Sequence, residues 1–183
     1  MSEPVSEPVS EPVPVPVPEP ELQLQLLRPD HGPALLAFEL ENRAFFARSV
    51  PDRGDAFFAA FDDRLQELLD EQAAGTGIFH VLVESGGAVV GRVNLFEVTD
   101  GGAHLGYRVA ERVTGRGVAT VGVHRLCDVA ATDYGLHVLS ASARVDNVAS
   151  RVVLERTGFV PVGVTTLSGH AGLTFSKHLA ARD

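Results

Sequence analysis

Cysteine is almost absent from these 183 residues: Cys127 stands alone. A lone cysteine excludes an internal disulfide and a cysteine-built structural zinc site. Its neighbours Val123, Leu126 and Ala130 make it a core residue of a helix rather than a nucleophile. Long apolar runs are also missing; none approaches the roughly 18 residues that a membrane span needs. Positive charge is scarce, with 15 Lys and Arg against 24 Asp and Glu and a net charge of −9. That balance argues against a nucleic-acid groove. No signal peptide is apparent, which points to the cytoplasm. What remains is long enough for one domain with a sizeable core.

Ser-Glu-Pro-Val repeats at Ser2, Ser6 and Ser10 and gives way to Val-Pro alternation up to Pro18. Proline removes backbone donors and favours extended polyproline II, so residues 1–21 read as a solvated, disordered tail. Five glutamates lie in it, and without them the body carries a net charge of −4. The body, residues 22–183, opens on a strand in which Leu22, Leu24 and Leu26 alternate with glutamines. Asp30 is placed to cap a helix through about Asn42, residues 42–52 read as a loop or short turn, and Gly54 to Ala74 reads as one amphipathic helix. Three meandering strands follow, at about 78–84, 88–98 and 103–110, parted by Ser85-Gly86-Gly87 and Asp100-Gly101-Gly102. A helix from Val118, a strand at 136–143, a short helix from Asn147 and two closing strands complete the chain. The crossover from the third of those meandering strands through a helix requires the next strand to lie parallel.

The stretch from Tyr107 to Thr120 carries the chemistry. It runs from a strand through Gly115 and Gly117 into a mostly buried helix whose polar stripe is only His124, Arg125, Asp128 and Thr132. The first N–H groups of a helix have no partner within it, and the macrodipole adds about half a positive charge there. Glycines let an anion approach those groups, and Arg112 and Arg116 add formal charge, so a pyrophosphate fits this turn. Gly-x-x-x-x-Gly-Lys-[Ser/Thr] is lacking, which excludes a Walker A loop. Thr120 stands where a dinucleotide fingerprint needs its third glycine.

Arg112-x-x-Gly115-x-Gly117 resembles the [Gln/Arg]-x-x-Gly-x-[Gly/Ala] signature of the GNAT superfamily of acyl-CoA N-acyltransferases. Asn147 and Ser150, with Gly158-Phe159 beyond, resemble a second element of that family, Asn-x-x-Ser-x-x-x-x-x-x-x-Gly-Phe. Local physics also accounts for part of it, with Asn147 as an N-cap and Gly158 as a left-handed residue past the helix end. The opening Leu22 to Pro29 and the closing Leu173 to Lys177 are similar to the branch that holds the ribosomal-protein N-terminal acetyltransferases. That branch also includes enzymes acting on small amines and antibiotics. The expected fold is α+β in α/β/α layers, with a mixed, mostly antiparallel twisted sheet of about seven strands.

The resemblance implies acetyl transfer from acetyl-CoA to an amine, a protein N-terminus or a small molecule, with no metal, nucleic acid or membrane. A homodimer stays open. In the resembled fold, backbone groups of Tyr107, Arg108 and Val109 hold the pantetheine arm and the thioester carbonyl. Arg112, Gly115, Arg116, Gly117, Val118, Ala119 and Thr120 hold the pyrophosphate, and Asn147 and Ser150 line the thiol end. His104 stands where relatives commonly carry a glutamate base. It is either a substitute base, with an ordinary pKa near 6.5, or an edge residue. No tyrosine follows Tyr134, so Ser150 is the candidate to protonate the departing thiolate. Glu39, Glu41, Asp52 and Asp55 border the acceptor side and are expected to attract an ammonium group, with Phe45 and Phe46 as pocket walls. A coenzyme-binding module without catalysis is the rival reading. Deleting residues 1–20 is expected to leave the melting temperature and the affinity for acetyl-CoA unchanged. A fall of several degrees in a thermal scan would instead show that the tail docks on the body.

Overall fold

The computed structural model describes residues 21–180, so the proline-rich segment 1–20 lies outside the described residues. Seven strands form one sheet in the order β1-β2-β3-β4-β5-β7-β6. They are β1 (Gln23–Leu26), β2 (Ile78–Val83), β3 (Val89–Thr99), β4 (Gly102–Val109), β5 (Val138–Arg144), β6 (Val160–Leu167) and β7 (His170–His178). Only the β4–β5 pair is parallel, as a helical crossover demands. The helices are α1 (Gly32–Glu41), α2 (Arg43–Phe46), α3 (Asp55–Ala59), α4 (Phe61–Ala73), α5 (Val118–Thr132) and α6 (Val148–Arg156). Among the described residues no helix is long and apolar enough to cross a membrane.

Both faces of the central strands are covered. Residues Val89 to Leu95 of β3 are all buried, because α1 lies over one face and α5 over the other. Gly122 lets α5 sit unusually close: a Cβ there would fall 2.7 Å from Leu82 Cδ1 and 3.1 Å from Val93 Cγ2. Phe38, Phe79, Phe159 and Phe175 are fully buried across the core, and truncating any one to alanine costs about 3–5 kcal/mol in such settings.

Two local expectations need correction and one is sharpened. Asp30 does not cap α1; its carboxylate accepts from Arg28 Nε at 3.0 Å, which competes with the backbone for it. Residues 43–46 form a helical turn, α2, within the stretch read as a loop or short turn. The helix expected over Gly54 to Ala74 breaks at Ala60 (φ −105°, ψ 28°), where Phe57 packs edge-on to both Phe58 and Phe61. Elsewhere the residue types act as read. Asn147 Oδ1 accepts from Ser150 N at 3.1 Å. Gly158 adopts φ +87°, and Phe159 N donates to Leu154 O at 3.0 Å, which closes a Schellman motif at the end of α6.

His80 is a buried imidazole at the seat of α5. Its Nε2 lies 2.9 Å from Tyr134 Oη, beyond the end of that helix. Burial pushes its pKa down to about 4. The unfolded chain therefore binds a proton between about pH 6.5 and 4 that the folded chain refuses. Stability from this group is present above pH 6.5 and is lost as the pH falls through that window, by at most about 3 kcal/mol. Melting temperatures measured between pH 7 and pH 4.5 should fall, and His80→Leu should flatten the slope. An identical slope in a folded His80→Leu variant would contradict this.

Candidate active site

The turn after β4 has the geometry of an anion cradle. Gly115 and Gly117 adopt φ +73° and +77°, a region that residues with a Cβ rarely enter. A Cβ at either would meet no atom within 4 Å, so the space in front of the turn is open. The first α-helical bond of α5 is Val121 N to Gly117 O at 2.9 Å. The N–H groups of Val118, Ala119 and Thr120 therefore have no acceptor inside the helix, and all three residues line a cavity of about 720 Å³. Arg112 lies elsewhere: its guanidinium pairs with Glu84, with Nη1 3.2 Å from Oε2. Neither Arg112 nor the exposed Arg116 lines the cavity, whereas Arg156 in the last turn of α6 does.

The cavity follows a parting in the sheet. Pairing of β4 with β5 runs only from Gly102↔Val138 to Leu105↔Ala141. Beyond it β4 stays paired with β3 as far as Gly91↔Val109. Ala110 N donates to Val90 O at 2.8 Å, which fixes the alternation. The backbone of Arg108 thus faces β3, while the N–H and C=O groups of Tyr107 and Val109 face the gap. An extended chain bearing amides can lie along that edge as a strand would. Tyr107 also reaches across it. Its hydroxyl donates to Ser150 O at 2.9 Å and lies 2.9 Å from Ser150 Oγ. Burial pushes the Tyr107 pKa up to about 12, so the phenol keeps its proton. Sequence reasoning gave Tyr107 only a backbone role; the strand parity that aims its ring at α6 depends on register.

On the opposite side of the sheet, Arg92 and Arg108 are cross-strand partners. Glu39 of α1, 2% exposed, lies between them. Arg92 Nη1 donates to Glu39 Oε1 at 3.0 Å, and Arg108 Nη2 donates to both carboxylate oxygens. Burial works against both guanidinium charges, and Glu39 offsets it. The Arg108 guanidinium also stacks 4.5 Å from the centre of the Phe46 ring.

The acidic border expected from the sequence is absent from this cavity. Glu39 is taken up by the two arginines, and Asp52 and Asp55 both bind Arg43 at 2.6 Å. None of these carboxylates, nor Glu41, is among the lining residues. The reason is the arginine content of neighbouring elements, which sequence separation hides. Phe45 and Phe46 do line the cavity, as do Asn147 and Ser150. His104 does not. Its Nδ1 lies 3.0 Å from Ser140 Oγ on β5, and burial lowers its pKa against the pull of Glu97. His104 is not an edge residue either, since β4 lies inside the sheet and pairs it with Phe96 on β3 and Ser140 on β5. Its absence from the cavity lining speaks against a base.

Such a layout can hold a phosphate-bearing molecule at the turn with a second molecule beside it in the cavity. The chain belongs to the acetyltransferase (GNAT) domain family, whose model matches residues 21–160, and it is an N-acetyltransferase of that type. It is 28% identical over 137 residues to the probable N-acetyltransferase YjcK of Bacillus subtilis (strain 168), covering 70% of this chain and 75% of that protein. The ribosomal-protein-S5-alanine acetyltransferase of Vibrio fischeri superposes with a TM-score of 0.81 at 22% identity, over 86% of this chain and 93% of its own. Mycobacterium smegmatis RimJ, solved in complex with CoA-disulfide, gives a TM-score of 0.78 at 24% identity, over 86% and 81%.

Replacing Gly117 tests the cradle. Gly117→Val adds strain of about 1–3 kcal/mol and fills the open space before the helix, so the variant should fold yet lose measurable acetyl-CoA binding in calorimetry. Unchanged affinity in a folded Gly117→Val protein would exclude the turn as the site.

Proposed function

We propose that the chain transfers an acetyl group from acetyl-CoA to a primary amine, the N-terminal amine of a protein. The observation that carries this is the continuity of the cavity from the α5 amides, across the β4–β5 gap, to a side walled by Phe45, Phe46 and arginines. The amides of Val118, Ala119 and Thr120 would hold the pyrophosphate. The gap-facing backbone of Tyr107 and Val109 would hold the pantetheine arm, and Asn147 and Ser150 the thiol end. The coenzyme supplies an acetyl thioester: the amine nitrogen forms a bond to its carbonyl carbon, the C–S bond breaks, and the thiolate leaves.

Two protons then need places. The attacking nitrogen loses one, and the thiolate takes one. Tyr107 and Ser150 form a neutral hydroxyl pair at the gap. If the Tyr107 hydroxyl turns its one proton from Ser150 O to Ser150 Oγ, Ser150 can pass its own proton to the thiolate and take that of Tyr107, and water then reprotonates the phenol. The nitrogen must start unprotonated. Cationic neighbours lower an ammonium pKa, so the arginine wall favours the free amine. Its proton can pass to water, without a base at His104.

Support for a protein acceptor comes from relatives named for ribosomal proteins and from an exposed rim at Ser49, Val50 and Pro51, past which a chain can run out of the cavity. Thiol release should be seen with peptides bearing a free N-terminus and vanish when it is blocked. Turnover only with blocked, lysine-containing peptides, or only with aminoglycosides and polyamines, would overturn the N-terminal assignment. Tyr107→Phe and Ser150→Ala should lower kcat by about 10–100-fold with a smaller change in coenzyme affinity. His104→Ala should cost well under the roughly 10²-fold that loss of a general base brings, and should keep the rise of kcat/KM with pH. Because the Tyr107 pKa is about 12, loss of this donor gives no falling limb below about pH 10; such a limb, absent in Tyr107→Phe, would contradict the resting state assigned to the phenol.

A further inference from the structure

We propose that the acceptor carries a carboxylate within a few bonds of its reacting amine, and that Arg53 and Arg108 bind that carboxylate. The inference rests on the acetyl-transfer reading of the same cavity and names its acceptor class. Every charged side chain lining the cavity is an arginine: Arg53, Arg64, Arg92, Arg108 and Arg156. This holds in a chain whose net charge is −9, so the cationic wall runs against the composition.

Arg156 sits in the last turn of α6, the helix that Asn147 caps and that carries Ser150. The other four lie on the side of α2 to α4 and of the sheet face under α1. Their charges are not balanced there. Arg92 and Arg108 share the single carboxylate of Glu39. Arg64 pairs with Glu67 at 2.7 Å and Glu71 at 3.6 Å, neither of which lines the cavity. Arg53 makes no ion pair among the described residues; its guanidinium lies 4.5 Å from the centre of the Phe57 ring. Arg53 and Arg108 line the same cavity and repel one another, and Glu39 offsets that repulsion only in part, so an anion between them would relieve it. Arg108 keeps 19% of its side chain exposed, against 7% for Arg92, so it is the member of the Glu39 group that can meet a ligand.

A guanidinium pair binds carboxylates by charge-assisted, often bidentate hydrogen bonds. The same wall disfavours an acceptor with a second ammonium group. An acidic side chain near a peptide N-terminus and the α-carboxylate of a free amino acid offer the same chemistry.

The test uses the full chain, with acetyl-CoA binding measured separately by calorimetry. Thiol release is compared for peptides matched except for Asp/Glu or Lys at their second and third positions, for free amino acids and their amides, and for spermidine. The acidic peptide should exceed its basic counterpart in kcat/KM by about tenfold or more, with the advantage shrinking as salt rises. Turnover of free amino acids but not their amides would support the carboxylate and identify its source as the α-carboxylate. Arg53→Gln should raise KM for the acidic acceptor by about tenfold and leave acetyl-CoA affinity unchanged, and Arg53→Glu should reverse the preference. Equal or better turnover of basic peptides or spermidine, with normal acetyl-CoA binding, would overturn the proposal, as would an unchanged KM in Arg53→Gln. Failure of the wild type to bind acetyl-CoA would strike the acetyl-transfer reading itself, and this inference with it.

Discussion

The site depends on the parting of β4 from β5 after Leu105 and Ala141. Each strand keeps a partner on its other side, β4 with β3 to Val109 and β5 with β7 to Arg144. The sheet therefore opens without either half losing its ladder. Parallel strands joined through a helix can diverge at their C-terminal ends because the connection there spans a loop, not a tight hairpin. The close seat of α5 at Gly122 then fixes its N-terminus at the mouth of the opening. Tyr107 to Ser150 ties the two sides together where the ladder no longer does.

A second constraint sets the acceptor side. Arg92 and Arg108 stand opposite each other on adjacent strands, an arrangement that repels on its own. Glu39 resolves it and in doing so places α1. Such a buried ionic group adds little net stability over apolar packing, yet removal of its one carboxylate leaves two buried cations, which is strongly destabilising. The group specifies position: α1 and Phe46 of α2 must sit where Glu39 and Arg108 meet. The cavity wall inherits an excess of positive charge as a result.

Much of this was legible from residue types and spacing. Strand alternation, the Gly115-x-Gly117 turn and the Asn147 to Phe159 segment each act through local backbone chemistry, and local chemistry can be read one residue at a time. The roles of Glu39, Arg108 and the Tyr107 side chain could not be read that way. Glu39 reads as one of four acidic residues that border the acceptor until the β3–β4 register sets two arginines beside it, and that register links residues 53 and 69 positions away from it. Arg112 matches the family pattern, but its side chain is drawn to Glu84, 28 residues earlier, instead of into the cavity. The break at Ala60 escaped for a related reason, since the phenylalanines around it fit one amphipathic helix as well as two.

An experimental structure of the protein with acetyl-CoA tests the central claim most directly. The account predicts the pyrophosphate against the amides of Val118 to Thr120, the pantetheine arm along Tyr107 and Val109 in the β4–β5 gap, and the thioester next to Ser150. Coenzyme seated elsewhere, or a gap closed by continued pairing of β4 with β5, would contradict it.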